Sequence, residues 1–519
     1  MTIGIPGSSG SARYRGYVLI VLMLVYVFNF LDRQILAILA EDIKSDLGIG
    51  DAMMGFLLGT SFAIFYAVFG IPLGRAADVL HRTRLIAAGL FVWSIMTSLS
   101  GLAQGFVSLA LCRMGVGVGE ASASPAAYSL LYDYYPKRVR TTALAIYSSG
   151  IFIGAGIGLF AGGAILTGWK HAFPNPETAP FGLRAWQAAF VLVGLPGVLL
   201  ALWVATLREP VRADADGLFI PRDPHPWRTL GGEFAMVLPV LGLVSLARSG
   251  GLKEAGRNLA LGASIGSAAV MLTRWLGGAG QWATLGYGAY AFTTWCQNLR
   301  CRDPQTFHDI FRCRPLVLGS LGFSGCFFLT AGALAWLAVF FQRVHGAPAA
   351  EVGLVLGLSY ASMGFLGVTI GGILTDRVVA RFGARSRLIV AAAAVTAATA
   401  AMAILIVIPT KDAAYLMTLP FNFFSAIYVA PGAANVNSLA PSRHRATASA
   451  AYIACQVFLG TALGPYVVGA ISEALTTSGR AGPEALRAAM LISLFATLPA
   501  VCLLLAAARS RFPDDLLPE

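Results

Sequence analysis

Four ionisable residues stand inside apolar runs: Asp32 and Arg33 within YVFNFLDRQILAILAEDI (26–43), and Arg113 and Glu120 within RMGVGVGEA (113–121). On insertion scales a charge at the centre of a membrane helix costs about 2.5–3.5 kcal/mol, so such groups persist where they are paired or functional. At 1.5 Å per residue, Asp32 lies roughly 10 Å from the end of a run that stops near Leu39. Arg113 belongs to a run of opposite direction starting near Val107, and lies roughly 9 Å deep, at the same level. Glu120, two helical turns on, shares the face of Arg113 and lies roughly 10 Å deeper. The expected arrangement is a ladder of Asp32, Arg113 and Glu120 along one inner wall. Two carboxyl groups competing for one guanidinium make a proton switch, and a freed arginine fork can hold a carboxylate or phosphate. Arg33 follows Asp32 by about 100° around the helix, which points it either into the interior or, by snorkelling, to the interface. The plainer reading, a buried ion pair that fixes two helices, leaves Glu120 without an obvious second cation in its bundle.

The elements that must position these charges are membrane spans. Of 519 residues, 57% are hydrophobic and only 12% charged, against roughly 25% charged in soluble domains. Apolar runs near 17–39, 52–74, 84–104, 107–133, 141–168 and 185–207 are followed by a polar, Pro-rich segment. Six further runs lie near 316–341, 351–374, 387–408, 413–438, 446–473 and 485–508. Each is about the 20 residues that a helix needs to cross a bilayer. The expected fold is therefore an all-α polytopic membrane protein.

The excess of Lys and Arg, 37 against 25 acidic residues, reads as a positive-inside bias rather than a nucleic-acid surface. RAADVLHRTR (75–84), PKRVR (136–140), DRVVARFGARSR (376–387), PSRHR (441–445) and the central insert hold most of the basic residues. All fall on the cytoplasmic side if both termini are inside. The insert, 208–315, has apolar stretches at 234–247, 259–273 and 280–298. An even number must cross, and placing RSGGLKEAGR (248–257) outside would break the charge rule. We therefore expect 234–247 on the inner surface and a crossing hairpin over about 259–298 with its GGAGQ turn outside, giving 12 + 2 spans. The domains are then a tail at 1–16, a six-helix bundle at 17–207, the insert, a second bundle at 316–508 and a tail at 509–519.

The two bundles repeat one another. IFIGAGIGLFAGGAI (151–165) aligns with VFLGTALGPYVVGAI (457–471), and PKRVRTTA (136–143) with PSRHRATA (441–448). GRAADVLHRTR (74–84) aligns with GILTDRVVARFGAR (372–385), pairing Gly74 with Gly372 and Asp78 with Asp376. Repeats of equal topology are related by an axis along the membrane normal.

The loop G-x-x-x-D-x-x-x-R after the second span resembles motif A of the major facilitator superfamily, with His81 where a Gly is usual. RMGVGVGEA resembles the family's R-x-x-x-G-x-G-x-A element, and GTALGPYVVG (460–469) its Gly-Pro helix motif. NFLDRQILAIL, RMGVGVGEASASPA and DYYPKRVRTTALA are most similar to the spinster branch. The resemblance implies the major facilitator fold, with an inserted hairpin here. It also implies gating by Gly74, Asp78, Arg82, Asp376 and Arg377, with the two aspartates meeting a helix N-terminus of the opposite bundle, where the dipole favours a carboxylate.

Candidate substrate contacts are Arg33 and Arg113, with Tyr128 and Tyr132 from YSLLYDYYP (128–136); Tyr134 and Tyr135 read as an interfacial belt. The C-terminal bundle offers neutral groups: Tyr360, Asn422, Asn435, Asn437, Tyr452 and Gln456. An anionic head near Arg113 and an apolar body against the second bundle fit this asymmetry. The expectation is a proton-coupled secondary transporter of an amphipathic lipid such as a sphingolipid or lysophospholipid, with a small organic anion or drug as the alternative. Its partners would be protons, that substrate and the bilayer of the cell inner membrane, with no nucleic acid, and the chain would act as a monomer. Seven Cys without CxxC spacing, six scattered His, and no nucleophile–base pair or phosphate loop argue against an enzyme, a metal or a cofactor. No ring-forming filter segment suggests a channel, and no cleavable leader is expected.

Overall fold

In lipid every backbone N–H and C=O must find its partner within the segment, so apolar runs of this length become helices. The computed structural model describes residues 11–210, 224–441, 444–510 and 512. Parts of the two tails, of the Pro-rich start of the insert and of PSRHR lie outside these. Among the described residues no strand occurs, and thirteen helices are long and apolar enough to cross a membrane.

The first bundle comprises α1 (Ala12–Ile38), α2 (Asp51–Val79), α3 (Arg82–Ser100), α4 (Phe106–Tyr134), α5 (Lys137–Ala172) and α6 (Ala185–Ala205). The insert forms α7 (Pro226–Val237), α8 (Pro239–Leu276), α9 (Ala279–Arg302) and α10 (Pro304–Phe311). The second bundle is α11 (Arg314–His345), α12 (Ala349–Phe382), α13 (Ser386–Val407), α14 (Lys411–Leu439), α15 (Thr447–Thr477) and α16 (Gly482–Arg509). We call the end that holds residues 75–84 and 376–387 inner and the other outer, after the charge distribution.

At the outer end the bundles are locked together. A short helix, Ala40–Leu47, joins α1 to α2. Arg343 of α11 grips both oxygens of Asp51 at 2.7 and 2.8 Å and Glu41 at 2.5 Å. Ser472 of α15 donates to Asp51 at 2.6 Å, Lys44 pairs with Asp51, and the Ala52 amide donates to Glu473 at 2.8 Å. Along α5 and α12 the backbones touch, because a Cβ at Gly156 or Gly357 would meet the other's carbonyl oxygen. The inner ends differ: Asp78 and Asp376 are exposed, and Asp78 pairs with Arg75 of its own helix at 3.0 Å. The implied contact of Asp78 with the opposite bundle is thus not made here, because this structure is closed at the outer end.

The hairpin lies against α2 and α15, one helix from each bundle. Trp282 meets Tyr466 (ring centroids 5.6 Å), Tyr287 meets Phe65 (5.8 Å) and Phe292 meets Phe458 (6.0 Å). Its turn uses Gly277 and Gly278, both at positive φ (71° and 69°), beside Tyr466, so the turn stands toward the outer end. Polar bonds zip its limbs: Tyr290 OH donates to Asn258 Oδ1 at 2.6 Å, and Asn258 Nδ2 to Gln297 Oε1 at 2.7 Å and Thr294 Oγ1 at 2.9 Å. Tyr290, Thr294, Gln297 and Asn298 make α9 more polar than its neighbours, and it is not among the thirteen apolar helices.

One expectation is corrected. Residues 234–247 do not form one surface stretch. Pro239 starts a new helix, so α7 climbs beside α2, with Phe234 against Phe69 at 6.2 Å. Residues 239–250 then descend parallel to α9, with Ser245 bonded to Asn298 at 3.2 Å. The chain reverses at Gly251, whose φ of 79° only glycine adopts readily.

Candidate functional site

The ladder of charges is present but pairs differently from the expectation. Asp32 and Arg113 do share one level: the Arg113 guanidinium donates to the backbone carbonyl of Asp32 at 3.4 Å. The Asp32 carboxylate instead accepts from Thr97 Oγ1 of α3 at 3.1 Å. Glu120 has its second cation, Arg33, whose Nε donates to Oε2 at 2.7 Å. The rise along a helix places Cα atoms, whereas an arginine stem spans roughly a further turn, which is how Arg33 reaches down to Glu120.

Burial separates the two arginines. Glu120 is 0% exposed and Arg113 1%, while the Arg33 side chain is 21% exposed. The Arg33 guanidinium sits among three rings, at 4.8 Å from Phe30, 4.6 Å from Phe62 and 4.8 Å from Tyr66. Each such contact favours the cation by about 0.5–2 kcal/mol and fixes the guanidinium plane. Arg113 lies behind Phe62 at 5.6 Å. Of the interior charges, Arg33 is therefore the one most available to a ligand.

Between the bundles lies a cavity of about 240 Å³. Arg33, Arg113, Phe30, Gln34 and Phe62 form its wall from the first bundle. Phe327, Thr330, Tyr360, Asn422, Ser425 and Tyr428 face them from the second. Tyr428 OH donates to Thr330 Oγ1 at 3.2 Å, and Asn422 Nδ2 to Ser359 Oγ at 2.9 Å. One wall thus presents a cation among aromatic rings, and the other an apolar surface dotted with hydroxyl and amide groups.

Arg33, Arg113, Tyr360 and Asn422 are brought together here as expected from their positions. Six other candidates do not line this cavity. Tyr128 bonds Ser148 at 3.1 Å, and Tyr132 lies under the Arg140 guanidinium at 3.5 Å. Asn435 is fully buried beside Gly319, and Tyr452 accepts from Gln456 Nε2 at 2.8 Å. Asn437 is exposed, and all six stand nearer the inner ends of their helices; helical face alone selected them, without depth. Phe62, Thr330, Ser425 and Tyr428 were missed for the same reason, and Thr97 because a lone threonine in an apolar span carries no signal.

Arg82, expected to gate, is buried inside the first bundle. It donates to Asp133 at 2.6 Å, Glu209 at 2.7 Å, and Ser129 through its hydroxyl at 2.8 Å and its carbonyl at 3.1 Å. Arg377, offered as a gating residue of the second bundle, is exposed. The residue that holds the place of Arg82 there is Arg387, bonded to the Ala434 carbonyl at 2.8 Å and to Ser438. Extra residues after Asp376 displace the arginine and hid this match.

The family profile described as Major Facilitator Superfamily matches residues 22–465. An MFS-type efflux pump of Mycolicibacterium smegmatis is 27% identical over 505 residues, covering 96% of this chain and 94% of the pump. Human protein spinster homolog 1 is 31% identical over 260 residues, 47% of this chain and 46% of that protein. Among solved structures, a bacterial homologue of the human lysosomal transporter spinster, in an inward-facing and unoccupied conformation, superposes with a TM-score of 0.71 at 25% identity. That match covers 98% of this chain and all of the other. The chain belongs to the Major Facilitator Superfamily, and within it is spinster-like.

Proposed function

We propose that this protein is a proton-coupled secondary active transporter working by alternating access, and that it carries an amphipathic, lipid-like substrate such as a sphingolipid or lysophospholipid. One observation supports the reading most: Arg33 faces the cavity while bound to Glu120, which is shut away from it. An anionic head that enters competes with Glu120 for a guanidinium that three rings already hold in place. Proton uptake by Glu120 releases Arg33 to the head, and deprotonation reclaims it. Proton and substrate occupancy are then linked through one cation, with reciprocal effects on affinity. Arg113 and Asp32 take the supporting part, keeping the buried cluster near neutrality.

The apolar body lies against Phe327 and Tyr428. A whole lysophospholipid exceeds about 240 Å³, so its tail extends beyond the cavity. The same volume favours the second reading, a small organic anion or drug, as does the likeness to an efflux pump. The chain sits in the cell inner membrane with both termini cytoplasmic, acts as a monomer and catalyses no reaction. Asp78, Asp376 and Gly74 act when the inner end closes, where Asp78 exchanges Arg75 for the opposite bundle.

Uptake of labelled lysophospholipid and of small organic anions into proteoliposomes, with and without a pH gradient, tests this. We expect gradient-driven lysolipid transport, weakened about tenfold or more in Arg33→Lys, which cannot form a fork. Glu120→Gln should bind substrate without dependence on pH. Transport of lysolipid that ignores the gradient would overturn the coupling, and transport confined to small anions would replace the substrate.

A further inference from the structure

Asn29 stands one helical turn before Arg33 and three residues before Asp32, on the face of α1 that carries both charges. It is 1% exposed. It lies within interaction range of Glu120, yet neither its amide oxygen nor its amide nitrogen completes a hydrogen bond. Glu120 is in the matching condition: Oε2 is held by Arg33, while Oε1 has no hydrogen-bond partner. Buried polar atoms are satisfied in the large majority of cases, so two facing groups left open at one point call for an account.

We propose that Asn29 is a positioning residue of the proton switch, turning its amide so that Glu120 keeps a hydrogen-bond partner in both protonation states. Toward the carboxylate, Nδ2–H donates to Oε1. Toward the acid, with its proton on Oε1, that O–H donates to Oδ1. The terminal torsion of an asparagine is broad and roughly two-fold, so the exchange needs only a flip in place. A leucine at this position offers neither group, and an aspartate adds a like charge.

The groups that face Glu120 make a passive role insufficient. Arg33 of α1 and Arg113 of α4 are fixed cations, and Asp32 of α1 is a competing acid. Tyr66 of α2 and Tyr26 of α1 stand behind Arg33, and α3 adds neutral Thr97. Once a substrate draws Arg33 away, Asn29 is the side chain left to hold the Glu120 carboxyl in place. The inference rests on the reading of Glu120 as the proton carrier.

Infrared difference spectroscopy on the full-length protein in lipid tests it. The carbonyl stretch of protonated Glu120 is assigned by its loss in Glu120→Gln and followed with pH in the wild type, Asn29→Leu and Asn29→Gln. We expect Asn29→Leu to move the band to higher frequency, because the O–H loses its acceptor. Its titration midpoint should rise by about one pH unit, tenfold in proton affinity, since the ion loses more than the acid does. Asn29→Gln, which keeps the amide, should restore the wild-type frequency in large part. Asn29→Ala, which removes the amide at minimal bulk, replaces Asn29→Leu should the latter fail to fold. A wild-type band that titrates, with frequency and midpoint unchanged in the leucine or alanine variant, overturns the role of Asn29 and leaves Glu120 as carrier. No titrating Glu120 band in the wild type overturns both.

Discussion

Arg82 and Arg387 occupy the same place in the two bundles: each donates through Nη1 to the carbonyl of the residue 47 positions on, Ser129 or Ala434, and to the side chain 51 positions on, Asp133 or Ser438. Arg82 meets two carboxylates, Asp133 and Glu209. Removing Arg82 breaks its buried pairs with Asp133 and Glu209, at a cost of about 3–5 kcal/mol. Arg82→Ala should therefore lower thermal stability in detergent clearly more than Arg82→Lys, which keeps the cation and loses only the fork. Equal melting temperatures for the two variants would contradict this account.

Asp51 is the knot of the outer lock, gripped by Arg343, Ser472 and Lys44. Asp51→Asn leaves Arg343 with Glu41 alone on that side. A loss of about 3 kcal/mol, at the low end for a broken buried pair, moves a conformational equilibrium by about two decades. Spin labels on the outer ends of α1 and α11 should then report a separated population that the wild type lacks. An unchanged distance distribution would show that backbone packing of α5 on α12 closes the outer end by itself.

The hairpin turn gives a test of orientation. Gln281 is buried, so a cysteine there is a poor probe; Ala279, two residues earlier, is exposed. With Cys502, the exposed native thiol, replaced, Ala279→Cys should react with a membrane-impermeant reagent added outside intact cells. Labelling only after the cells are opened would invert the placement of the turn.

Glu233 of α7 lies near Arg75 and Asp78 of α2 and Arg302 of α9, and burial holds its carboxyl above the usual range despite the two arginines. A raised carboxyl contributes stability below its ordinary titration range, and that contribution is lost as pH rises through the raised value. Docking of α7 should thus loosen as pH rises above the ordinary glutamate range. Hydrogen exchange over 226–237 should accelerate on that change in the wild type and stay level in Glu233→Gln. Equal pH dependence in both would assign the effect to another group.

Much of this was legible from residue spacing. Glycines 154, 158 and 163 matching 460, 464 and 469 gave the repeat, and basic loops gave the direction of the spans, because lipid leaves the backbone few options. The depth match of Asp32 with Arg113 followed from a rise of 1.5 Å per residue. Partner choice did not, since it depends on side-chain reach: Arg33 took Glu120, and Thr97 took Asp32. Periodicity also reads a run such as 234–247 as one piece, and Pro239 with Gly251 folds it into a reversal.

Because α9 touches α2 and α15 together, the protein is laced on one side by a helix that the other side lacks. Any rotation of one half against the other must carry this helix along or slide past its aromatic contacts. The side where α5 meets α12 has glycine-lined backbone contacts and the Phe152–Tyr360 ring pair to release. A motion that a bare two-fold repeat would divide evenly is thereby biased, as in a book bound along a single spine.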